Sequence, residues 1–240
     1  MKTVAIIQPN YIPWIGYFEI IKYVDCFIFL DDVQYTKRDW RNRNFISNNE
    51  NTDILSIPVL SKGRSIQKIN EVIVADKKWK QNHLKKIFQN YKKSKYFEEI
   101  YQFLSDVYYN INSDFLSDNV CMINEKICSY LNINSKIVKS SNLKSKGAKN
   151  EKLISLCEVV DAKIYISGPK ATDYLDYESF KKKNIELKII KYNQQKNYIS
   201  NKAFKFTRNL SIIDLLFHAG KDSEKFLQDI NLINYSNFNK

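Results

Sequence analysis

The first 46 residues concentrate side-chain types that are scarce elsewhere in the chain. Gln8-Pro9-Asn10-Tyr11 is followed by Pro13, Trp14 and Gly16, then, after an apolar stretch, by Asp31-Asp32 and by Lys37-Arg38-Asp39-Trp40-Arg41-Asn42-Arg43. The whole chain has 5 Gly, 4 Pro and 3 Trp, and three of its few arginines stand in that last run. The background, rich in Lys, Asn and Ile, has the character of a drift toward A and T codons. A cluster of rare types against such a drift points to retention for a task.

The arginine run pairs planar guanidinium donors with an aromatic ring and a carboxylate. An arginine fork suits two-point contact with phosphate or carboxylate, which lysine does not reproduce. If residues 39–43 are extended, Asp39, Arg41 and Arg43 share a face; the alternative is a surface ion-pair cluster with no ligand. Asp31 and Asp32 are adjacent, so in an extended segment they diverge and cannot share one proton. One is a candidate base or metal ligand, and the other a cap or an arginine's partner. Gln8, at a buried strand end, needs partners for its amide, while Asn10, Tyr11 and Trp14 line the turn that follows. Pro9 and Pro13 also fit a plain rigid turn with Tyr11 and Trp14 in the core.

A second group lies far downstream. Ser167-Gly168-Pro169-Lys170 follows another apolar run, where Ser167, Gly168 and Lys170 suit a phosphate or form an ordinary turn. His218 ends the last apolar helix, either as a catalytic base or as a cation favoured at a helix C-terminus. His83 lies on a Lys-rich helix and is given no role. There is no GxGxxG, P-loop, GxSxG or HExxH pattern, and no metal ligand set is assigned.

The elements that must position these residues follow from periodicity. Residues 3–8 form a short buried strand stopped by Pro9, and residues 14–23 an amphipathic helix with Pro13 in its first turn. A second buried strand over 25–30 ends at Asp31. In such a β-α-β unit the loop after the first strand and the end of the second share the carboxyl edge of a parallel sheet. Strand-like stretches at 54–59 and 71–74 flank a turn at 61–65. Residues 77–132 read as three helices forming an insertion or lobe. Alternation then resumes: strand 136–139, helix 151–160, strand 163–167, helix 177–183, strand 186–192 and an apolar helix 210–218 closed by Gly220. The expectation is one α/β domain over residues 1–240, a Rossmann-like parallel sheet with a helical insertion.

Length and 44% hydrophobic content fit a folded globular protein. No apolar run reaches the length of a membrane span and no signal peptide precedes the first strand, which gives a cytoplasmic expectation. Cys26, Cys121, Cys128 and Cys157 lie singly in apolar stretches and read as reduced core thiols. The net charge of +12 is mostly dispersed lysine without a nucleic-acid-binding signature, so attraction to anionic small molecules or membrane surfaces is favoured over direct nucleic-acid binding.

These motifs resemble those of the WbqC-like family of bacterial proteins, found with genes for O-antigen and other surface polysaccharides. The matching segments begin with Gln8-Pro9-Asn10-Tyr11-Ile12-Pro13-Trp14-Ile15-Gly16-Tyr17-Phe18, followed by Asp32-Val33-Gln34-Tyr35-Thr36-Lys37-Arg38-Asp39-Trp40-Arg41-Asn42-Arg43. Tyr165-Ile166-Ser167-Gly168 and Leu210-Ser211-Ile212-Ile213-Asp214-Leu215-Leu216-Phe217 complete the match. The resemblance implies an enzyme of sugar modification that transfers glycine or another acyl group to a nucleotide-linked amino sugar. Its donor would be acyl-CoA, acyl carrier protein, aminoacyl-tRNA, or ATP with a free acid. On that reading Asp32 is the base, Gln8 the oxyanion donor, and Arg41 and Arg43 the phosphate clamp; Arg38, Trp40 and Asn42 join the binding set. A non-catalytic sugar-nucleotide-binding or scaffold protein is the alternative. The chain departs from the family pattern at His218, where Asn is usual, and over residues 194–200. The first β-α-β unit is also similar, more weakly, to the nucleotide-binding half of adenylate-forming ligases.

Overall fold

A computed structural model describes residues 1–48, 51–191 and 210–237. The first apolar run is strand β1 (Thr3–Ile7), leading to helix α1 (Ile15–Tyr23) and strand β2 (Cys26–Phe29), and β1 and β2 pair in parallel with Ala5 opposite Phe27. Strands β3 (Arg43–Asn48) and β4 (Asn51–Ser56) form a separate antiparallel pair. Helices α2 (Trp79–Tyr91), α3 (Phe97–Tyr109) and α4 (Leu116–Tyr130) fill the predicted helical stretch. The remaining elements are β5 (Lys136–Lys139), α5 (Lys149–Val159), β6 (Ile164–Ser167), α6 (Tyr177–Lys182), β7 (Glu186–Lys191), α7 (Ile212–Ala219) and β8 (Asn231–Asn234).

The main sheet runs β5-β2-β1-β6-β7-β8. Five strands are parallel, and β8 runs antiparallel to β7 on the edge, so this α/β sheet is mixed and not wholly parallel as expected. With only Leu232 and Ile233 apolar, β8 is too short for its alternation to stand out. The direction of winding reverses at β1, which has β2 on one side and β6 on the other, and this is where open α/β sheets leave a crevice beyond their carboxyl ends.

The two faces of the sheet divide by residue parity, because successive side chains of a strand point opposite ways. Ala5, Phe27 and Phe29 join a core with α1, the β3-β4 pair, α2, α3, α4 and α7. Val4, Ile6, Cys26 and Ile28 join a second core with α5 and α6. Burial on both faces explains why β1 and β2 read as continuous apolar runs. All four cysteines are buried and free.

Several boundaries differ from the sequence reading. Residues 39–43 do not form one extended segment: Arg38 has φ +59, a turn precedes Arg43, and β3 starts there. The strand expected at 54–59 is β4, three residues earlier, before Pro58 removes a ladder donor. Residues 71–74 contribute isolated bridges after a 3-10 turn at Ile69–Glu71. Pro13 lies just before α1, and its carbonyl accepts the Ile212 N–H at 2.8 Å. Residues 194–200 lie outside the described residues. Among the described residues, no helix is long and apolar enough to cross a membrane.

Candidate functional site

Four chain segments leave the sheet along one edge. Ile7 pairs with Phe29, Phe29 with Lys139 and Ala5 with Ile166, all in parallel register. Gln8, Asp31-Asp32, Ser140-Ser141 and Ser167-Gly168 therefore emerge on the same side. The edge joins Gln8, Asp32, Ser167 and Gly168, as the parallel pairing requires, and adds Ser140 and Ser141, which sequence reasoning passed over.

Asp31 is fully buried, and its carboxylate is held by donors from two other elements. Oδ1 accepts the Ser141 N–H at 3.0 Å, while Oδ2 accepts the Ser141 and Ser117 hydroxyls at 2.9 and 3.1 Å. The Ser140 hydroxyl lies between the two carboxylates, 3.2 Å from Asp31 Oδ1 and 2.5 Å from Asp32 Oδ1. It also accepts the Asp31 backbone N–H at 3.1 Å. The two acids thus diverge, as adjacency requires, yet are joined through one serine.

Asp32 does not pair with an arginine. Its Oδ2 lies 2.5 Å from Lys152 Nζ, with both side chains mostly buried, and the ammonium also reaches Ser145 Oγ at 3.3 Å. Burial pushes the Asp32 pKa up, but the hydrogen bonds from Lys152 and Ser140 and the lysine charge outweigh it, holding the carboxyl below its ordinary range. Lys152 and Ser140 thus favour Asp32 as the carboxylate, the form that accepts hydrogen bonds.

The arginine segment packs on the turn after β1. The Tyr11 N–H donates to the Trp40 carbonyl at 2.9 Å. Arg41 donates to Asn10 Oδ1 and pairs with Asp39 at 3.4 Å, with 14% of its side chain exposed. Burial pulls the Arg41 pKa down and Asp39 opposes the shift. Arg43 instead donates to the Arg38 carbonyl, so the two guanidinium groups have different partners. Arg38 is exposed, and Trp40 stands edge-on to Phe45 with 41% of its surface exposed. Asn42 braces the hairpin by donating to the Ile57 carbonyl at 2.8 Å.

At the turn itself, the Gln8 carbonyl accepts the Tyr17 hydroxyl at 3.0 Å and the Asn10 carbonyl accepts Asn124 Nδ2 at 2.8 Å. The Trp14 indole folds onto Gly16, where a Cβ would sit 2.1 Å from the ring, so the glycine is required by close approach. Tyr11 points into the core, and its hydroxyl meets His83 Nδ1 at 2.8 Å and the Tyr108 hydroxyl. His83 Nε2 lies 3.1 Å from the Ser56 carbonyl, which only accepts, so Nε2 carries the proton and Nδ1 accepts from Tyr11. Tyr11 then accepts from Tyr108. Burial lowers the His83 pKa to about 4, keeping it neutral.

Ser167 is buried, and Gly168 has φ −75, a conformation open to any residue. Lys170 is exposed beyond it. The start of α7 meets Pro13 and Phe45, whereas His218 lies on its last turn, with Nδ1 donating to the Asp214 carbonyl at 2.7 Å and the ring edge-on to Tyr91. Among the described residues, no group of three His, Cys, Asp or Glu side chains is placed to hold a metal ion.

The WbqC-like protein family model matches residues 8–226, which include both N-terminal motifs, Ser167-Gly168 and α7. The chain belongs to the WbqC-like family. This WbqC-like chain is 38% identical over 232 residues to the uncharacterized protein Rv1507c of Mycobacterium tuberculosis, covering 95% of this chain and 98% of that protein. No solved structure matches the chain. Sequence reasoning missed Lys152, Ser117, Ser140, Ser141 and Asn124, all on elements distant in sequence, and gave no role to His83. Only Ser140 and Ser141 carried a usable signal, since they follow a predicted parallel strand.

Proposed function

We propose that this WbqC-like protein forms an amide on the amino group of a nucleotide-linked amino sugar during assembly of a surface polysaccharide such as O-antigen. The observation that carries the reading is the convergence of Gln8, Asp32, Ser167 and the Arg41-bearing segment beyond the strand ends where the sheet reverses its winding. The amine nitrogen attacks the carbonyl carbon of an activated acyl or aminoacyl group. The C–N bond forms, the bond to the leaving group breaks, and the amine proton leaves with that group or to water. Acyl-CoA, acyl carrier protein and aminoacyl-tRNA bring the acyl group already activated. With ATP and a free acid, the carboxylate first attacks ATP, giving an acyl phosphate and ADP or an acyl adenylate and pyrophosphate, and phosphate or AMP then leaves as the amide forms.

In this reading Gln8 and nearby backbone N–H groups face the developing oxyanion. Asp32, kept ionised by Lys152, accepts a hydrogen bond from the amine and orients it. Arg41 fixes Asn10 and the turn, while exposed Arg38 and Lys170 supply charge for the phosphates. Incubation with amino-sugar nucleotides and each donor class, read as a mass increase of the sugar nucleotide, tests it; no product with any donor class counts against it. The engagement of Asp32 by Lys152 and Ser140 favours a second reading, a sugar-nucleotide-binding scaffold without chemistry. Asp32→Asn separates the two: an enzyme loses turnover while keeping ligand affinity, whereas a scaffold behaves alike with either residue.

A further inference from the structure

Beyond the strand-edge crevice, three extended segments form a small ladder. Val59 bridges Val74 and Ile73 bridges Phe115, both antiparallel, and the Leu60 N–H donates to the Ile73 carbonyl at 2.9 Å. Leu60, Ile73 and Phe115 thus stand in one row, and directly paired residues share a face. Val59, Val72, Val74 and Leu116 pack into the first core, but the three in the row belong to neither core. Leu60 is 42% and Phe115 43% exposed.

The loop that continues from Leu60 carries Lys62, Arg64, Ile66 and Lys68, all exposed, with Ile66 at 86%. It is a held loop: Gln34 Nε2 donates to the Ser65 carbonyl at 3.0 Å, the Tyr35 N–H to the Gln67 carbonyl at 2.9 Å, and Gln67 Nε2 to the Leu60 carbonyl at 3.3 Å. That pairing sets the loop beside the segment leading to exposed Lys37 and Arg38. The nearby acids are engaged: Glu71 accepts the Lys68 N–H and Asp114 pairs with Lys77 at 2.8 Å. Asp76 accepts the Lys78 N–H.

We infer that this face docks on an anionic phospholipid surface, with Leu60, Ile66, Ile73 and Phe115 against the acyl boundary and Lys62, Arg64 and Lys68 among the headgroups. Apolar side chains standing out of a basic rim are what interfacial attachment needs, and the charge complements an anionic leaflet.

Co-sedimentation with phosphatidylcholine vesicles, with and without phosphatidylglycerol, tests the proposal on the full chain. Binding is expected only with phosphatidylglycerol and to weaken as salt rises. Lys62→Glu/Arg64→Glu should lower the partition coefficient at least about tenfold, since each cation near the surface contributes about fivefold. Ile66→Ser with Phe115→Ser should lower it by a similar factor at unchanged charge, and neither pair should alter the circular dichroism spectrum. Three results overturn the proposal: no phosphatidylglycerol-dependent binding; equal loss on Lys92→Glu/Lys93→Glu, which would show net charge alone at work; or conversion of a dimer to a monomer by Ile66→Ser/Phe115→Ser, which would make the face a contact between copies.

Discussion

One buried histidine should contribute to the acid sensitivity of this protein by an amount its surroundings define. His83 is 5% exposed, accepts from Tyr11, donates to the Ser56 carbonyl and is held neutral with a pKa of about 4, against 6.5 for an ordinary imidazole. Between those values the unfolded chain binds a proton at this site that the folded chain refuses, so stability falls as pH is lowered through 6.5 and levels off near 4. The limiting loss is the shift times 1.36 kcal/mol per unit, about 3 kcal/mol, of which about 2 kcal/mol is already lost between pH 7 and pH 5. Relative to a typical domain stability of roughly 5–15 kcal/mol, that is a measurable fraction.

Other groups titrate in the same window, so the histidine must be isolated by difference. Urea unfolding of the wild type and of His83→Phe at pH 7 and pH 5 gives the required comparison. At pH 7 the variant should be less stable by about 1–3 kcal/mol, because the Ser56 carbonyl loses its donor and Tyr11 its acceptor. By pH 5 most of that gap should close, since the phenylalanine cannot take up the proton that opposes folding. Parallel stability losses in the two proteins would refute both the burial argument and the hydrogen-bond order from Tyr108 through Tyr11 to His83.

Three further outcomes follow from contacts at the strand edge. Asp31→Ala leaves two serine hydroxyls and one backbone N–H without their buried acceptor and should cost about 3–5 kcal/mol, read as a lower urea midpoint at unchanged slope. Lys152→Met should destabilise by about 1–3 kcal/mol at pH 7. Because the Asp32 pKa is lowered, the wild-type advantage should hold above the ordinary carboxylate pKa and fade as pH falls through the lower folded value; a gap that widens in acid would contradict the pairing. Gly16→Ala must push the Trp14 indole aside and should cost about 1–3 kcal/mol, with a shift in tryptophan emission; an unchanged spectrum and melting temperature would contradict the close approach.

The β-α-β unit was legible in the sequence because β1 and β2 are buried on both faces, so every residue from Val4 to Ile6 and from Cys26 to Phe29 is apolar and proline marks the exit. Parallel pairing then carried the position of Ser167 over a distance of more than 150 residues without any contact being known. Periodicity reports which face of an element is apolar; it carries no record of which polar residue on that face meets which other. Lys152 and Asp32 are 120 positions apart, Ser140 and Asp31 109, and His83 and Tyr11 72, and none of these pairs leaves a local pattern. The same limit applies to the arginine run, where the sequence offers identical forks at Arg41 and Arg43, yet one meets Asn10 and the other the Arg38 carbonyl.

That division bears on how the strand edge is built. Groups along this strand edge are fixed by partners distant in sequence: Asp31 by Ser117, Ser140 and Ser141, Asp32 by Lys152, and Asn10 by Asn124. The Gln8 side-chain amide, by contrast, makes no hydrogen bond among the described residues. A half-buried amide at the end of a parallel strand, with no partner of its own among the described residues, is available to meet a ligand. Gln8→Ala should therefore leave the unfolding free energy within about 0.5 kcal/mol of wild type while, on the proposed amide-forming function, removing most of the product. A large loss of stability would mean that Gln8 braces the fold, and the oxyanion role would pass to backbone N–H groups alone.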